Sequence, residues 1–434
     1  MSENEKKLLV PRLRFPEFQE DSEWLTPTLG DVSKPVNERV GDRKFMPISI
    51  SAGIGFVAQS EKFGRDISGN QYKLYTVVRD GDFVYNKGNS LKFPQGCVYD
   101  LQGWGEVAAP SVFICFRLKD GYENGFYRQC FENNAHGIQL RKHITSGARS
   151  NGLLNISKET FWGVKIPTPK VAEQKKIAEC LSSLHALITA EVKKLDALKK
   201  YKKGLMQQVF PREDESIPRL RFPEFREAAE WKTVPMGSLL KKDPEYGVNA
   251  PAAPYSEDLP TYLRITDIDE DGRFLCKSKA SVDIVAKDEH YLKPGDIALA
   301  RTGASVGKSY RYRSEDGRLV FAGFLIRIRP EPKKVNSIFL ANFLTSPRYW
   351  WWVSVTSARS GQPGINGTEY ASLSVPVPSH EADNNGLLEQ KHIAALLSTT
   401  DDLITAQNQK IDALKIHKKG LMQQLFPVLD EESV

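Results

Sequence analysis

The sequence predicts an α+β protein in which two mixed α/β domains are separated by two long helices. Two repeated segments carry this prediction. The octapeptide PRLRFPEF occurs at 11–18 and again at 218–225, an offset of 207 residues. A longer block at 173–211 matches the block at 389–427 at 25 of 39 positions. Because self-similarity over such a long separation reflects an architecture that is used twice, the chain is predicted to be a tandem repeat of one plan.

The repeated blocks divide the 434 residues into four segments. We place them at 1–170 for the first domain, 171–211 for the central repeated helix, 212–380 for the second domain and 381–434 for the C-terminal repeated helix and tail. Between the blocks, similarity shrinks to short islands such as GDFVYNKG against GDIALART. The residues that follow the second repeated helix resemble those that join the first copy to the second, so the repeat would continue in the same register from the end of the chain to its start. A pseudo-two-fold arrangement of the two copies is therefore predicted.

Each repeated block is predicted to form one helix of about 35 residues, roughly 50 Å long. Apolar residues recur in alternating steps of four and three, which is the pattern of a coiled-coil seam, and no proline interrupts either block. We expect the two helices to pair as an antiparallel coiled coil; the alternative is that each packs as an ordinary amphipathic helix on its own domain. The predicted seam residues are Ile177, Leu181, Leu184, Ile188, Leu195, Leu198, Ile393, Leu397, Ile404, Ile411, Leu414 and Leu421.

Composition and charge exclude several classes of protein. Hydrophobic residues make up 40% and charged residues 26% of the chain, as in ordinary globular proteins, and no apolar run is long enough to span a bilayer. The N-terminus has no apolar signal segment, so we expect a cytoplasmic location. Five scattered cysteines form no CxxC pair, which predicts reduced thiols rather than a metal site. The net charge of +6 permits a polyanionic partner.

The sequence contains no self-sufficient catalytic constellation. RTGASVGKS at 301–309 supplies the glycines, lysine and hydroxyl of a nucleotide phosphate loop, but three residues instead of four separate its glycines. A strand follows it in the pattern, so we predict a hairpin. DPEY at 243–246 resembles the DPPY tetrapeptide of amino-methyltransferases, yet no methyl-donor loop accompanies it. The WWW run at 350–352 could stack bases, although its place after a predicted helix favours packing.

Basic, glycine-rich loops recur at corresponding places in the two domains. NKGNSLKFPQG (86–96) and SGARSNG (146–152) lie in the first, and ARTGASVGKSYRYR (300–313) and SARSGQPGING (357–367) in the second. Arginine and lysine bind guanine edges, asparagine and glutamine bind adenine, and lysines and hydroxyls bind phosphates; taken singly, each loop could instead be a solvated turn. The predicted DNA-binding residues are Asn86, Lys87, Asn89, Lys92, Arg149, Ser150, Asn151, Arg301, Thr302, Ser305, Lys308, Arg311, Arg359, Ser360 and Gln362.

The whole chain resembles the DNA-specificity (S) subunit of type I restriction-modification enzymes. The resemblance rests on two variable inserts that alternate with two repeated helices, and on the EQxxIAxxL start and KKGLMQQ-FP end of each helix. Within the second insert, YGVNAPA (246–252), YLRITDIDEDG (262–272) and GDIALARTGASVGKSY (295–310) resemble the target-recognition domains of that family. The first insert departs further, with GDFVYNKGNS in place of the arginine-containing loop.

The resemblance implies that the two domains are target-recognition domains that read a bipartite, asymmetric site in double-stranded DNA. It implies a subunit that is not an enzyme by itself, with no catalytic residues, no metal and no bound cofactor. Its partners would be two methyltransferase subunits that methylate adenine at N6 with S-adenosylmethionine, and two restriction/translocase subunits that use ATP and Mg²⁺. No membrane is implied. The alternatives are a specificity subunit of a methylation-only or related phage-defence system and, less favoured, a nucleotide-binding enzyme.

Overall fold

A computed structural model describes residues 9–51, 53–88, 93–144, 154–358, 361–379 and 385–427 of the chain. The chain divides into two compact units. Unit 1 comprises Met1–Val192 and Lys410–Val434, and unit 2 comprises Lys193–Gln409. Each unit thus combines residues of one sequence-predicted domain with one part of each long helix.

Unit 1 contains two four-stranded sheets. Its strands are β1 (Ser33–Pro35), β2 (Met46–Ser51), β3 (Gly55–Ala58), β4 (Thr76–Arg79), β5 (Phe83–Asn86), β6 (Cys97–Asp100), β7 (Glu106–Ala109) and β8 (Ile114–Leu118). One sheet has the order β1-β8-β5-β6 and is antiparallel throughout. The other has the order β3-β2-β7-β4, in which β2 and β7 are parallel. Short helices cover the sheets, namely α1 (Leu29–Val32), α2 (Gln59–Phe63), α3 (Asn124–Glu132), α4 (Ala135–Leu140) and α5 (Lys158–Trp162).

Unit 2 also contains two four-stranded sheets. Its strands are β9 (Lys232–Pro235), β10 (Glu245–Tyr246), β11 (Ala252–Pro254), β12 (Thr261–Leu263), β13 (Ala280–Val282), β14 (Ile297–Ala300), β15 (Ser309–Arg311), β16 (Leu319–Phe321), β17 (Leu325–Ile328) and β18 (Ser374–Val377). The order β10-β17-β14-β15 parallels that of the first sheet of unit 1, and β11-β13-β12-β16 again holds one parallel pair, β12 with β16. Strands β9 and β18 form a separate ribbon. The short helices are α7 (Ser337–Phe343), α8 (Pro347–Thr356) and α9 (Gly367–Ser372).

The repeated Gly-Asp pair has the same structural role in both units. Gly81 and Gly295 adopt φ values of +92° and +90°, a conformation that favours glycine. The buried carboxylates of Asp82 and Asp296 each accept a backbone N–H bond of 2.9 Å from the residue three positions earlier, Arg79 or Lys293. This closed turn leads into an inner strand of a four-stranded sheet, β5 in unit 1 and β14 in unit 2. The sequence island GDFVYNKG/GDIALART therefore marks one structural device used twice.

The two long helices are slightly longer than predicted. Helix α6 (Val171–Val209) has 39 residues and α10 (Asn385–Leu425) has 41. None of the predicted seam residues is exposed: each is buried or half-buried. The hydrophilic residues Glu191, Thr400 and Gln407, which continue the same four-three steps, are buried as well.

Within each unit, the local segments of α6 and α10 run in opposite directions. In unit 1, Ile177 and Leu181 share a core with Leu425, whereas Glu191, further along α6, binds Lys410 at 2.6 Å. In unit 2, the core instead joins the end of α6 to the start of α10, from Leu205–Val209 to Ile393–Leu397. There the ammonium of Lys202 binds the carboxylate of Asp401 at 2.7 Å.

A buried ion pair fastens the start of each long helix to its domain. In unit 1, Arg14 of the first PRLRFPEF makes a bidentate contact with Glu173, with bonds of 2.9 and 2.7 Å. In unit 2, Arg221 of the second copy contacts Glu389 in the same way, with two bonds of 2.9 Å. Each guanidinium also donates to two backbone carbonyls, so four of its five N–H groups are hydrogen-bonded. In each unit, therefore, the repeated PRLRFPEF segment supplies the arginine of this ion pair and the repeated helix block supplies the glutamate.

The glutamine that follows each of these glutamates joins the helix to the domain a second time. The side-chain oxygen of Gln174 accepts from the backbone N–H of Glu123 at 2.9 Å, and that of Gln390 accepts from the N–H of Asn336 at 2.8 Å. Glu123 and Asn336 are the N-caps of α3 and α7. The EQ dipeptide at the start of both blocks thus has a direct structural explanation.

Candidate nucleic-acid interface

The glycine-rich loop of unit 2 is a hairpin between β14 and β15. The two strands pair antiparallel, and a short 3-10 turn, Gly303–Ser305, lies between them. Gly303 and Gly307 have φ values of +70° and +88°, which favour glycine. A strand follows this loop, as predicted, so the segment does not have the loop-to-helix geometry of a nucleotide phosphate loop.

Two buried tyrosines fix both ends of this hairpin loop. The hydroxyl of Tyr370 donates to the carbonyl of Ala300 at 2.8 Å, and that of Tyr349 donates to the carbonyl of Gly307 at 2.6 Å. Burial raises the pKa of both phenols above the usual range, so both remain neutral donors near pH 7. A buried donor of this kind would be costly to leave unpaired. The loop is therefore held on a rigid base.

Arg301 is the first residue of this loop, and its backbone and side chain are held separately. Its backbone N–H donates to the carbonyl of Phe324 at 3.0 Å, and its carbonyl accepts from the N–H of Ile365 at 2.9 Å. Its guanidinium lies 4.8 Å from the centroid of the Tyr246 ring, a distance at which cation–π attraction operates. Its side chain makes no hydrogen bond or ion pair with any residue that the structure describes.

A second loop predicted from the sequence meets the first. The N–H of Gly303 donates to Pro363 at 3.0 Å, and Thr302 and Gly364 form an antiparallel bridge. A Cβ on Gly303 would lie 3.0 Å from the side-chain nitrogen of Gln362, which is exposed. The fold thus brings Arg301, Thr302 and Gln362 together from positions about sixty residues apart. All three are residue types that contact bases or phosphates in DNA complexes.

Comparison with known proteins adds an independent observation. Residues 98–200 and 230–415 match the family described as type I restriction modification DNA specificity domain. The chain belongs to the specificity-subunit family of type I restriction-modification systems.

Several members of this specificity family align with the chain. The MjaVIII specificity subunit of Methanocaldococcus jannaschii is 25% identical over 301 residues, which span 67% of this chain and 68% of the relative. The EcoBI specificity subunit of Escherichia coli is 25% identical over 260 residues, 55% of this chain and 53% of the relative. A crystal structure of the S subunit from M. genitalium matches with a TM-score of 0.58 at 13% identity, and the match covers 97% of this chain and 100% of that one. At that level of identity, the match concerns the fold.

Two other residues of the unit 2 hairpin that were predicted to contact DNA have different surroundings. Lys308 binds the exposed carboxylate of Glu270 at 2.7 Å. Arg311 lines a polar cavity of about 400 Å³ together with Arg273, Arg313 and Asp401 of α10. Burial lowers the pKa of Arg311, and repulsion from Arg313 lowers it further. Arg311 therefore belongs to a different environment from the stacked Arg301. Ser305 lies half-buried in the 3-10 turn of the loop.

In the corresponding hairpin of unit 1, two residues that were predicted to contact DNA form hydrogen bonds within the unit. The side-chain oxygen of Asn86 accepts from the N–H of Gly88 at 2.8 Å. The ammonium of Lys87 donates to the carbonyl of Ile156 at 2.9 Å, and the carbonyl of Lys87 accepts from Leu154 at 2.9 Å. These bonds shape the loop itself and engage the side-chain oxygen of Asn86 and the ammonium of Lys87.

Several predicted DNA-binding residues lie outside the described residues and stay predictions. They are Asn89, Lys92, Arg149, Ser150, Asn151, Arg359 and Ser360.

The tryptophan run only partly follows the packing prediction. Trp352 packs against the core of unit 2, but Trp350 and Trp351 are 41% and 57% exposed. They lie on α8, where successive residues point in different directions, so a run of three cannot face the core together. Trp350 borders the hairpin loop, because a Cβ on Gly307 would be 3.1 Å from its ring.

Tyr246, Tyr349 and Tyr370 support the loop but were absent from the sequence-based site. Tyr246 lies in two motifs that were noticed for other reasons, DPEY and YGVNAPA. Tyr349 and Tyr370 gave no signal, because their hydroxyl partners are backbone carbonyls distant in sequence. Among the described residues, no group of histidine, cysteine or carboxylate side chains could hold a metal ion, and no helix is long and apolar enough to cross a membrane.

Proposed function

We propose that this chain is the DNA-recognition subunit of a type I restriction-modification complex and binds a bipartite, asymmetric duplex site. The observation that carries the proposal is the convergence of Arg301, Thr302 and Gln362 on two loops that rest on a buried scaffold. Sequence is read by side chains that reach base edges, and rigid support lowers the entropy lost on binding. In unit 1, the residues proposed to read the other half-site lie in the segments around Lys92 and Arg149.

The proposed partners follow from membership of the family. The chain would position two adenine-N6 methyltransferase subunits and two restriction/translocase subunits in the cytoplasm. S-adenosylmethionine, ATP and Mg²⁺ would bind to those partners, while this chain would supply specificity without catalysing a reaction. A methylation-only or related phage-defence system is the second candidate, since the same recognition subunit could serve either assembly.

The proposed spacer between the recognition domains is an antiparallel coiled coil of α6 and α10. Its support is local: α6 and α10 run in opposite directions within each unit, with the polar pairs Glu191–Lys410 and Lys202–Asp401. Polar contacts at such positions fix register in coiled coils. Two half-sites read from one face of the duplex would lie about one helical turn, 34–36 Å, apart. The length of the helices would then set the unspecified gap between them.

The decisive experiment is a map of N6-methyladenine in DNA from cells that express this chain with its methyltransferase, compared with cells that lack this chain. We expect a bipartite motif with a fixed unspecified gap, present only with the chain. Methylation that is absent, or identical without the chain, would refute the specificity role. Binding of the purified complex to the motif should also weaken steeply with salt, because phosphate contacts release counterions.

A further inference from the structure

Arg301 differs from Lys87 and Lys308, two described lysines that were also predicted to contact DNA. Lys87 donates to the carbonyl of Ile156 and Lys308 binds Glu270, so both ammonium groups already have partners. Arg301 instead lies over an aromatic ring and makes no polar contact with a described residue. Its guanidinium donors are therefore available to a ligand, and its orientation is set without using them.

The ring beneath Arg301 is fixed at both of its ends. The backbone of Tyr246 lies in β10, paired with Ile326 of β17. Its hydroxyl accepts a hydrogen bond of 3.0 Å from the N–H of Gly367, the first residue of α9. The same helix carries Tyr370, whose hydroxyl holds the start of the loop at Ala300. The position of the ring is thus coupled to the frame that places Arg301.

This geometry suits one kind of ligand. A guanidinium that stacks on a ring keeps its N–H groups directed outward in one plane, and its pre-organisation reduces the entropy lost when it binds. In the major groove, the O6 and N7 atoms of guanine form the pair of acceptors that a planar arginine fork matches. Adenine presents an amino group in place of one acceptor, and pyrimidines lack the pair.

We propose that Tyr246 is a positioning residue that holds Arg301 to read a guanine in the half-site bound by unit 2. This inference rests on the proposed function and adds to it the base that is read and the residue that orients its reader. Tyr246 would act through Arg301, without touching the base itself. The motif DPEY would owe its tyrosine to this support and not to methyl transfer.

The test uses the complete methyltransferase complex and duplexes that carry its mapped motif. Each guanine of the two half-sites is replaced in turn by 7-deazaguanine, which lacks the N7 acceptor. One replacement, in a single half-site, should weaken binding by the wild type about 10- to 150-fold, the range for loss of one hydrogen bond to a charged group. The same replacement should have no effect on Arg301→Ala, because the contact is already gone.

Variants of Tyr246 separate positioning from general stability. Tyr246→Leu should reduce discrimination against the 7-deazaguanine duplex, whereas Tyr246→Phe keeps the ring and should retain most of it. Two matched controls come from the same unit: Tyr255, an exposed tyrosine near Lys279, and Arg318, which stacks on Tyr291 at 4.0 Å. Tyr255→Leu and Arg318→Ala should discriminate as the wild type does.

The outcomes distinguish the inference from the proposed function. If the wild-type complex shows no site-specific binding, the proposed function fails. If it binds specifically but no guanine replacement loses its effect in Arg301→Ala, the guanine assignment is wrong. If Tyr246→Leu discriminates as well as the wild type, the positioning role is wrong even though Arg301 reads the base.

Discussion

Replacing Glu389 with leucine should destabilise unit 2 by about 3–5 kcal/mol, the range for removing one partner of a buried ion pair. The side chains of Arg221 and Glu389 are only 5% and 2% exposed. Loss of the carboxylate would leave a buried guanidinium with no counter-charge, and the indole N–H of Trp231 would also lose its acceptor. For a unit of this size, about 2–4 °C per kcal/mol converts this change to a fall in melting temperature of about 6–20 °C.

The assay is calorimetric unfolding of the full chain, with hydrogen exchange to identify the transition of unit 2. The control is Arg219→Ala, which breaks an ion pair with Glu215 whose side chains are 50% and 32% exposed; it should cost no more than about 0.5 kcal/mol. The double variant Arg221→Met/Glu389→Leu removes both charges and should recover part of the loss. An effect of Glu389→Leu no larger than that of the control would refute the reasoning.

Three further predictions concern acid stability, spacing and the hairpin. Burial lowers the pKa of His136 to about 4, so protonation of this side chain disfavours the folded state. The free energy of unfolding of unit 1 should therefore fall by up to about 3 kcal/mol as the pH falls from the unfolded pKa of about 6.5 to 4. In an acid titration of stability, His136→Phe should lack this fall, and an unchanged fall would contradict the assignment. Insertion of one helical turn into both Leu187–Glu191 and Leu403–Gln407 should lengthen the unspecified gap of the methylated motif and leave both half-sites intact; methylation mapping that shows the old gap would exclude the spacer role. A Cβ on Gly307 would lie 2.7 Å from a valine methyl, whereas Gly317, also at positive φ, faces open space; Gly307→Ala should therefore lower the melting temperature of unit 2 more than Gly317→Ala, and equal shifts would show that the contact is harmless.

The sequence predicted the two long helices because the spacing of apolar residues and the repeated blocks are visible in the sequence itself. The four-three spacing from Ile177 to Leu421 identifies positions that the structure leaves unexposed. Identical residues such as Arg14 and Arg221 stand out because the same contact is made twice. The order of strands could not be predicted in this way, because short strands of three or four residues give almost no periodic signal.

The candidate site was only partly predictable for a different reason. Residue type shows what a side chain can bind, but not whether a neighbour already binds it. Lys87 and Lys308 have the right chemistry, yet a carbonyl and a carboxylate from other segments satisfy them. Conversely, the hydroxyl of Tyr246 accepts from the N–H of Gly367, which lies 121 residues away. Such pairings depend on the tertiary fold and leave no trace in spacing.

In unit 1 the backbone N–H of Leu13 donates to the carbonyl of Gln424 at 3.0 Å. In unit 2 the N–H of Leu220 donates to the carbonyl of Gln208 at 2.9 Å. The first PRLRFPEF segment therefore contacts the end of α10, and the second contacts the end of α6. The two contacts use equivalent residues of the repeated segments. Because both hydrogen bonds join residues of the repeated segments, replacing the sequence that lies between those segments would leave the residues of both contacts unchanged.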